Sequence, residues 1–236
     1  ILTFNFPEQL IHTINSMKKV PEWLEKPHLV LLDNSTNETA KVKNQEISKK
    51  YNFEYVSLEG NKGICGGRQA AAEHFDKTGA DYYFFFEDDM TSNPLEEKGN
   101  FCRNGLRKYI PNLYQTLHKI MLKENFDYLK MSFTEVYWDN NIQTSWYNVP
   151  QDIRTKFWPE YDKLPISGID PNAPKTKFNV INNLDGVAYI DGEVTYTNWP
   201  MIMSKKGNKK VFIDTKWAHP YEQTWMSYVF QEQKKG

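Results

Sequence analysis

An α/β fold is what this sequence predicts: a mostly parallel sheet flanked by helices, followed by an irregular second half. Three observations predict it. Residues 1–90 alternate strand-like and helix-like segments through short connections. Each strand-like run ends on a polar residue, so Asn5, Asp33, a glycine-rich turn and Glu87–Asp89 fall on one rim, the edge where such sheets bind ligands. The last run, Tyr82-Tyr83-Phe84-Phe85-Phe86, then enters three successive carboxylates, Glu87-Asp88-Asp89.

The elements follow in order. Ile1–Phe4 is apolar and ends at Asn5. Pro7 suits a first helical turn, and Leu10, Ile11, Ile14 and Met17 form one helical face. His28–Leu32 reads as a second buried strand ending at Asp33. Ser35 or Thr36 can cap a helix whose Ala40, Ile47 and Tyr51 share a side. Phe53–Leu58 is a third strand. Gly60-Asn61-Lys62-Gly63-Ile64-Cys65-Gly66-Gly67-Arg68 is a glycine-rich turn leading into a helix around Gln69–Phe75, and the aromatic run is a buried strand. Further on, Leu113, Leu117, Ile120 and Met121 mark a helix, and Tyr128–Phe133 a strand. Residues 148–177 hold five prolines and little periodicity, as expected of a long surface excursion. Met201–Met203 and Val211–Ile213 read as short strands, and Glu222–Gln231 as a closing amphipathic helix.

Composition narrows the function classes. The chain has 236 residues, 39% hydrophobic and 25% charged, which fits one large α/β domain: a ligand-binding half over 1–100 and a variable half over 101–236. No apolar run approaches the ~20 residues needed to span a bilayer. A net charge of −1 gives no bulk attraction to nucleic acid or an acidic membrane. Cys65 and Cys102 are too few for a disulfide framework, so a reducing, cytoplasmic setting is expected. The opening Ile1-Leu2-Thr3-Phe4 reads as a strand already under way, as in a segment of a longer protein.

The acidic triplet carries the sharpest chemistry. Like charges repel, and three hard oxygen donors without a neighbouring Lys or Arg favour Mg²⁺ or Mn²⁺, which in turn hold phosphates. A solvated acidic turn is the alternative. The glycine turn follows the third strand, so it is not the dinucleotide fingerprint, which sits after the first. Gly63, Gly66 and Gly67 allow close backbone approach to a ligand beside a helix start, and Arg68 can fork onto phosphate. A tight turn with a surface arginine is the alternative. Asp33 suits hydrogen bonds from a ribose or base edge, or a turn. Aromatic content is high at 15%, and Trp138, Trp146, Tyr147, Trp158, Trp199 and Trp217 are candidates for stacking on an acceptor.

Thr3–Leu10, Leu31-Leu32-Asp33-Asn34-Ser35, Asn61-Lys62-Gly63 with Gly67-Arg68, and Phe86-Glu87-Asp88-Asp89 together resemble nucleotide-sugar glycosyltransferases of the GT-A fold, most closely glycosyltransferase family 2. The likeness is strong over residues 1–90 and resumes at Trp199–Met203 and His219–Tyr228. It implies that Thr3 and Asn5 line the nucleotide pocket and that Asp33 contacts the base or ribose. Gly63 and Arg68 would lie near the nucleotide and diphosphate. Asp89, with Asp88 or Glu87, would match the D-x-D acids that hold a divalent cation; His219 is a candidate for a further metal ligand or a site-lining residue. Family members place an acidic pair at a late helix, its second member taking the acceptor's proton. Here Gln223 stands at that second position and cannot accept a proton, which leaves Glu222 as the expected base and Asp191 as its runner-up.

Leu129–Glu135, Trp146–Pro150 and Glu222–Trp225 also resemble small glycosyltransferases of tailed phages. That implies host cytoplasm and an acceptor such as hydroxymethylcytosine in DNA, with a glycan as the other acceptor class. The resulting expectation is inverting transfer of a sugar from a UDP-linked donor with Mn²⁺ or Mg²⁺. A sugar-nucleotide-forming nucleotidyltransferase and a non-catalytic carbohydrate-binding module are the competing classes. The first wants a glycine-rich basic loop directly after the first strand, and Phe4-Asn5-Phe6-Pro7 is not one.

Overall fold

The computed structural model of the chain describes residues 1–18, 27–90, 101–102, 105–106, 112–131, 178–192 and 200–214. Its contacts divide it into two compact units, one of Ile1–Met131 with Trp199–Ala218 and one of Ser132–Asn198 with His219–Gly236.

The first unit is built as the alternation predicts. Strand β1 (Leu2–Thr3) leads to helix α1 (Pro7–Met17), β2 (Val30–Asp33), α2 (Glu38–Tyr51), β3 (Glu54–Ser57), α3 (Gly63–Asp76) and β4 (Tyr82–Phe85). β1, β2 and β3 are parallel, with Leu2 opposite Leu32, Leu31 opposite Tyr55 and Asp33 opposite Ser57. Beyond β4 the chain pairs Leu2 with Glu87 in a parallel bridge, and Leu2 N donates to Phe86 O at 2.9 Å. That bridge delivers the acids to the edge already occupied by Asp33.

Alternation along each strand separates the two faces. Leu31 joins Leu10 and Ile14 of α1, Ile47 of α2 and Phe53 in a buried cluster. Leu2 and Leu32 point the other way, and Leu2 meets α3 at Gly67, where a Cβ would lie 2.8 Å from Leu2 Cδ2. Gly67 therefore sets how closely α3 lies on β1. The predicted α1 face needs one change: Leu10, Ile14 and Met17 are buried, but Ile11 is 36% exposed and Thr13 takes a buried place instead.

Three local expectations are corrected. Neither Ser35 nor Thr36 caps α2; Asn37 does, its side chain accepting from Ala40 N at 3.1 Å. The glycine stretch is not all turn, because α3 already begins at Gly63, whose φ of 67° suits glycine. The aromatic run is only half-buried at Tyr82, Tyr83 and Phe84, with Phe85 and Phe86 fully buried.

After the two-stranded pair β5 (Phe101–Cys102) and β6 (Gly105–Leu106), α4 (Leu113–Glu124) and β7 (Tyr128–Lys130) follow. The second unit contributes the hairpin β8 (Phe178–Leu184) and β9 (Val187–Gly192), turned by Asp185 and Gly186 at φ 48° and 83°. β10 (Met201–Ser204) belongs to the first unit and lies antiparallel between β4 and β7, with all four residues buried. Parallel pairing thus holds for β1–β3, and β10 brings an antiparallel portion.

Val211–Ile213 is helical rather than a strand. Ser204 Oγ accepts from Gly207 N at 3.0 Å and starts α5 (Lys205–Asn208), which runs on into a π-helical turn, Lys209–Ile213. Asn208 Nδ2 then donates to Ala72 O at 3.0 Å, docking this segment on α3 with Val211 and Phe212 buried. The excursion over 148–177, the helix expected from Glu222 and the six aromatic stacking candidates lie outside the described residues.

Candidate functional site

The carboxyl edge of β1–β3 gathers most of the residues singled out from the sequence. Asp88 is fixed there from both sides. Its Oδ2 accepts from Thr3 Oγ1 at 2.6 Å and from Phe4 N at 3.1 Å, and its backbone carbonyl accepts from the buried Thr13 hydroxyl of α1. Parallel neighbours produce this arrangement: β1 ends at Thr3 just where the Glu87 bridge places Asp88 beside it.

Glu87 faces the other way, toward α3. Arg68 Nη2 and Nε donate to Glu87 Oε1 at 2.8 and 3.3 Å, and the guanidinium lies over the Phe85 ring, 4.8 Å from its centroid. Arg68 is 1% exposed and is a buried ion-pair partner rather than a surface arginine. Asp89 is exposed and, among the described residues, has no hydrogen-bond or ion-pair partner. It opens onto a shallow cleft lined also by Phe6, Glu8, Gln9, His12 and Thr13 of α1 and its approach.

Burial pushes the Glu87 carboxyl above its ordinary value, against the pull of Arg68, and the neighbouring acids add to the rise. Burial also raises Asp88, opposed by the hydrogen bonds from Thr3 and Phe4 N. Among the described residues, three carboxylates with one arginine leave the cluster two formal negative charges in excess. Hard oxygen donors in a charge-deficient edge fit a divalent cation such as Mg²⁺ or Mn²⁺.

Asp33 sits fully buried on the same edge. Its Oδ1 accepts from Ser35 N at 2.9 Å and its Oδ2 from Tyr55 Oη at 2.8 Å. The Tyr55 hydroxyl is correspondingly hard to ionise, pushed up to about 12 by burial first and by Asp33 second. Asn5, at φ 55°, ties the β1–α1 connection to the start of α2: its Oδ1 accepts from Thr36 N and Asn37 N at 2.9 and 3.0 Å. Gly63 leaves open space where a side chain would stand.

Thr3, Asn5, Asp33, Gly63, Arg68, Glu87, Asp88 and Asp89 thus share one edge of one unit. Asp191 lies on β9 in the other unit, and Glu222 and His219 fall outside the described residues. Asn34, Thr13 and Tyr55 were not singled out from the sequence. Asn34 accepts from Lys62 N at 2.8 Å and donates to Asn61 Oδ1 and Gly63 O, both at 3.3 Å, clamping the glycine turn to β2. A lone threonine on the apolar face of α1 was a readable signal for Thr13; nothing local marks Tyr55.

Residues 1–97 match the family model described as Glycosyl transferase family 2. Among solved structures, a crystal structure of S. aureus TarS 1-349 is similar, with 14% identity and a TM-score of 0.45, over 98% of this chain and 54% of that one. This chain therefore spans about half the length of that protein chain. A search of curated proteins finds no match. The matched stretch, residues 1–97, is the part of the chain that builds the parallel sheet β1–β3 and its acidic edge, and there the chain is similar to glycosyl transferase family 2.

Proposed function

We propose that the chain transfers a sugar from a nucleotide-diphosphate donor, UDP-linked, to an acceptor hydroxyl, with a divalent cation held by Asp88 and Asp89. The observation that carries this reading is the convergence of Asp88, held by Thr3 and Phe4 N, with the exposed Asp89, which has no partner among the described residues, and the buried Asp33 on one sheet edge. The family match supports nucleotide-sugar chemistry over the same residues.

Each residue then has a role. Asp33, itself fully buried, holds Ser35 N and Tyr55 in place at the end of β2, beside which the nucleoside is received. The space at Gly63 lets the diphosphate approach the start of α3. Arg68 holds Glu87 and lowers the negative charge behind the site, so Asp88 and Asp89 are the better cation ligands. A bound cation supplies Lewis-acid neutralisation of the charge that develops on the departing diphosphate.

Glu222 takes the acceptor hydroxyl's proton as the acceptor oxygen bonds to the anomeric carbon and the carbon–oxygen bond to the diphosphate breaks, inverting that carbon. Asp191 is the second candidate for that role. A modified base in DNA and a glycan are the acceptor classes. Among the described residues no helix is long and apolar enough to cross a membrane. A panel of nucleotide sugars scored for nucleotide release tests the reading: metal-dependent release from a UDP-sugar supports it, and no release from any donor with any acceptor class opposes it.

A further inference from the structure

At the opposite edge of the sheet, His28, Glu54 and His74 converge. His28 Nε2 is 2.8 Å from Glu54 Oε2, His74 Nε2 is 3.6 Å from Glu54 Oε1, and the three donor atoms all lie within 4.8 Å of one another. We propose that this cluster is a second cation site, selective for Zn²⁺ or a similar imidazole-binding ion, which clips the end of α3 to the starts of β2 and β3.

The fold brings the three together for simple reasons. Val30 of β2 pairs with Glu54 of β3, and Glu54 N donates to Leu29 O at 2.8 Å. His28 lies two positions before Val30, hence on the same face of the sheet as Val30 and Glu54. That is the face opposite Leu31, and therefore the face covered by α3. Helix α3 starts beyond the carboxyl edge and runs back, so its last turn, with His74, reaches the amino edge. His28 is five residues upstream of Asp33, about 16 Å along an extended strand, so this cluster is separate from the acidic edge.

The donor set selects the ion. Two imidazoles and one carboxylate suit Zn²⁺, with bonds of about 2.0–2.2 Å that place donors about 3.3 Å apart. The 2.8 and 3.6 Å separations bracket that value. A second observation points the same way: His74 Nε2 is shielded from solvent and has no hydrogen-bond partner among the described residues. A buried ring nitrogen aimed at a carboxylate oxygen beyond hydrogen-bond reach is poised for coordination. His28 and Glu54 are more open, 67% and 43% exposed at their side chains, which leaves a path for the ion and room for water as a fourth ligand. Binding requires both imidazoles neutral, so any Nε2 proton is released or moves to Nδ1.

Zinc chloride titration of the full chain, labelled with ¹⁵N-histidine and carrying Asp88→Asn and Asp89→Asn to silence the acidic edge, tests the proposal. One equivalent should shift the Nε2 resonances of His28 and His74 and leave His12 and His118 in place. His74→Ala or Glu54→Gln should weaken binding about 100-fold or more, beyond the effect of losing an outer-shell partner. Circular dichroism on the same variants confirms that they are folded, and His28→Asn, at the most exposed position, provides a third. Zinc shifts that persist in these folded variants overturn the proposal. So does a His28–His74 pair that responds to pH but not to zinc. Because the acidic edge is silenced, neither result bears on glycosyl transfer.

Discussion

Thr3 Oγ1 donates a 2.6 Å hydrogen bond to Asp88 Oδ2 across 85 residues of sequence. It joins the end of the first strand to the acid that follows the fourth, and fixes one oxygen of that carboxylate. Thr3→Val keeps the shape and removes the donor. The expected loss is about 1.5–3 kcal/mol of folding stability at neutral pH, the range for hydrogen bonds to charged groups. Chemical denaturation reads it, and an unchanged midpoint would mean Asp88 does not depend on Thr3.

Glu87 and Asp88 are adjacent but should answer neutralisation in opposite directions. Glu87→Gln removes the carboxylate charge paired with the buried Arg68 and should cost about 3 kcal/mol, the low end for breaking a buried pair, since Glu87 retains 20% exposure. Asp88→Asn removes a carboxylate that burial penalises while keeping an oxygen for Thr3 and Phe4 N, so the metal-free protein should become more stable. Thermal melts of the two variants decide this, and losses of equal size would contradict the assignment of Arg68 to Glu87.

The pH dependence follows from the same burial. Both carboxyls are raised in the folded chain above their ordinary values of 4.5 and 3.8, so between the unfolded and folded values the folded state binds more protons. The contribution of these groups to stability is therefore fully present below the ordinary values and is lost as pH rises through the raised ones. Cation affinity should climb over that same interval as protons leave. Melting temperature against pH, with and without Asp88→Asn, checks the sign: the variant should show the shallower fall.

Gly207 tests the packing of β10 and α5. A Cβ there would stand 2.0 Å from the Asp127 carbonyl oxygen, backbone that cannot swing aside. Gly207→Ala should cost about 1–3 kcal/mol, as overpacking typically does, without changing nucleotide affinity directly. A wild-type melting temperature in that variant would show that the 127–131 segment moves freely away from α5.

Much of this site was readable before folding. Apolar runs ending in Asn5, Asp33 and Glu87–Asp89 announced strands with a polar rim, and Pro7 announced α1. What the chain could not announce was pairing at a distance. Arg68 looked like a surface phosphate fork because nothing local says that α3 crosses β4, where Glu87 and the Phe85 ring enclose it. Val211–Ile213 carries strand-type residues, yet the Ser204 cap and the Asn208 bond to α3 make it helical. The Asp185-Gly186 turn is legible in the sequence as a hairpin signal, since both positions take positive φ between the strands they join.

The central claim is that Asp88 and Asp89 hold a cation that in turn holds a nucleotide diphosphate. Calorimetry of UDP binding, with and without Mn²⁺, in the wild-type chain and in Asp89→Ala, tests it most directly. The account predicts Mn²⁺-dependent UDP binding in the wild type, and its loss in a variant whose melting temperature is retained. UDP binding that ignores Mn²⁺, or that survives Asp89→Ala unchanged, would contradict it.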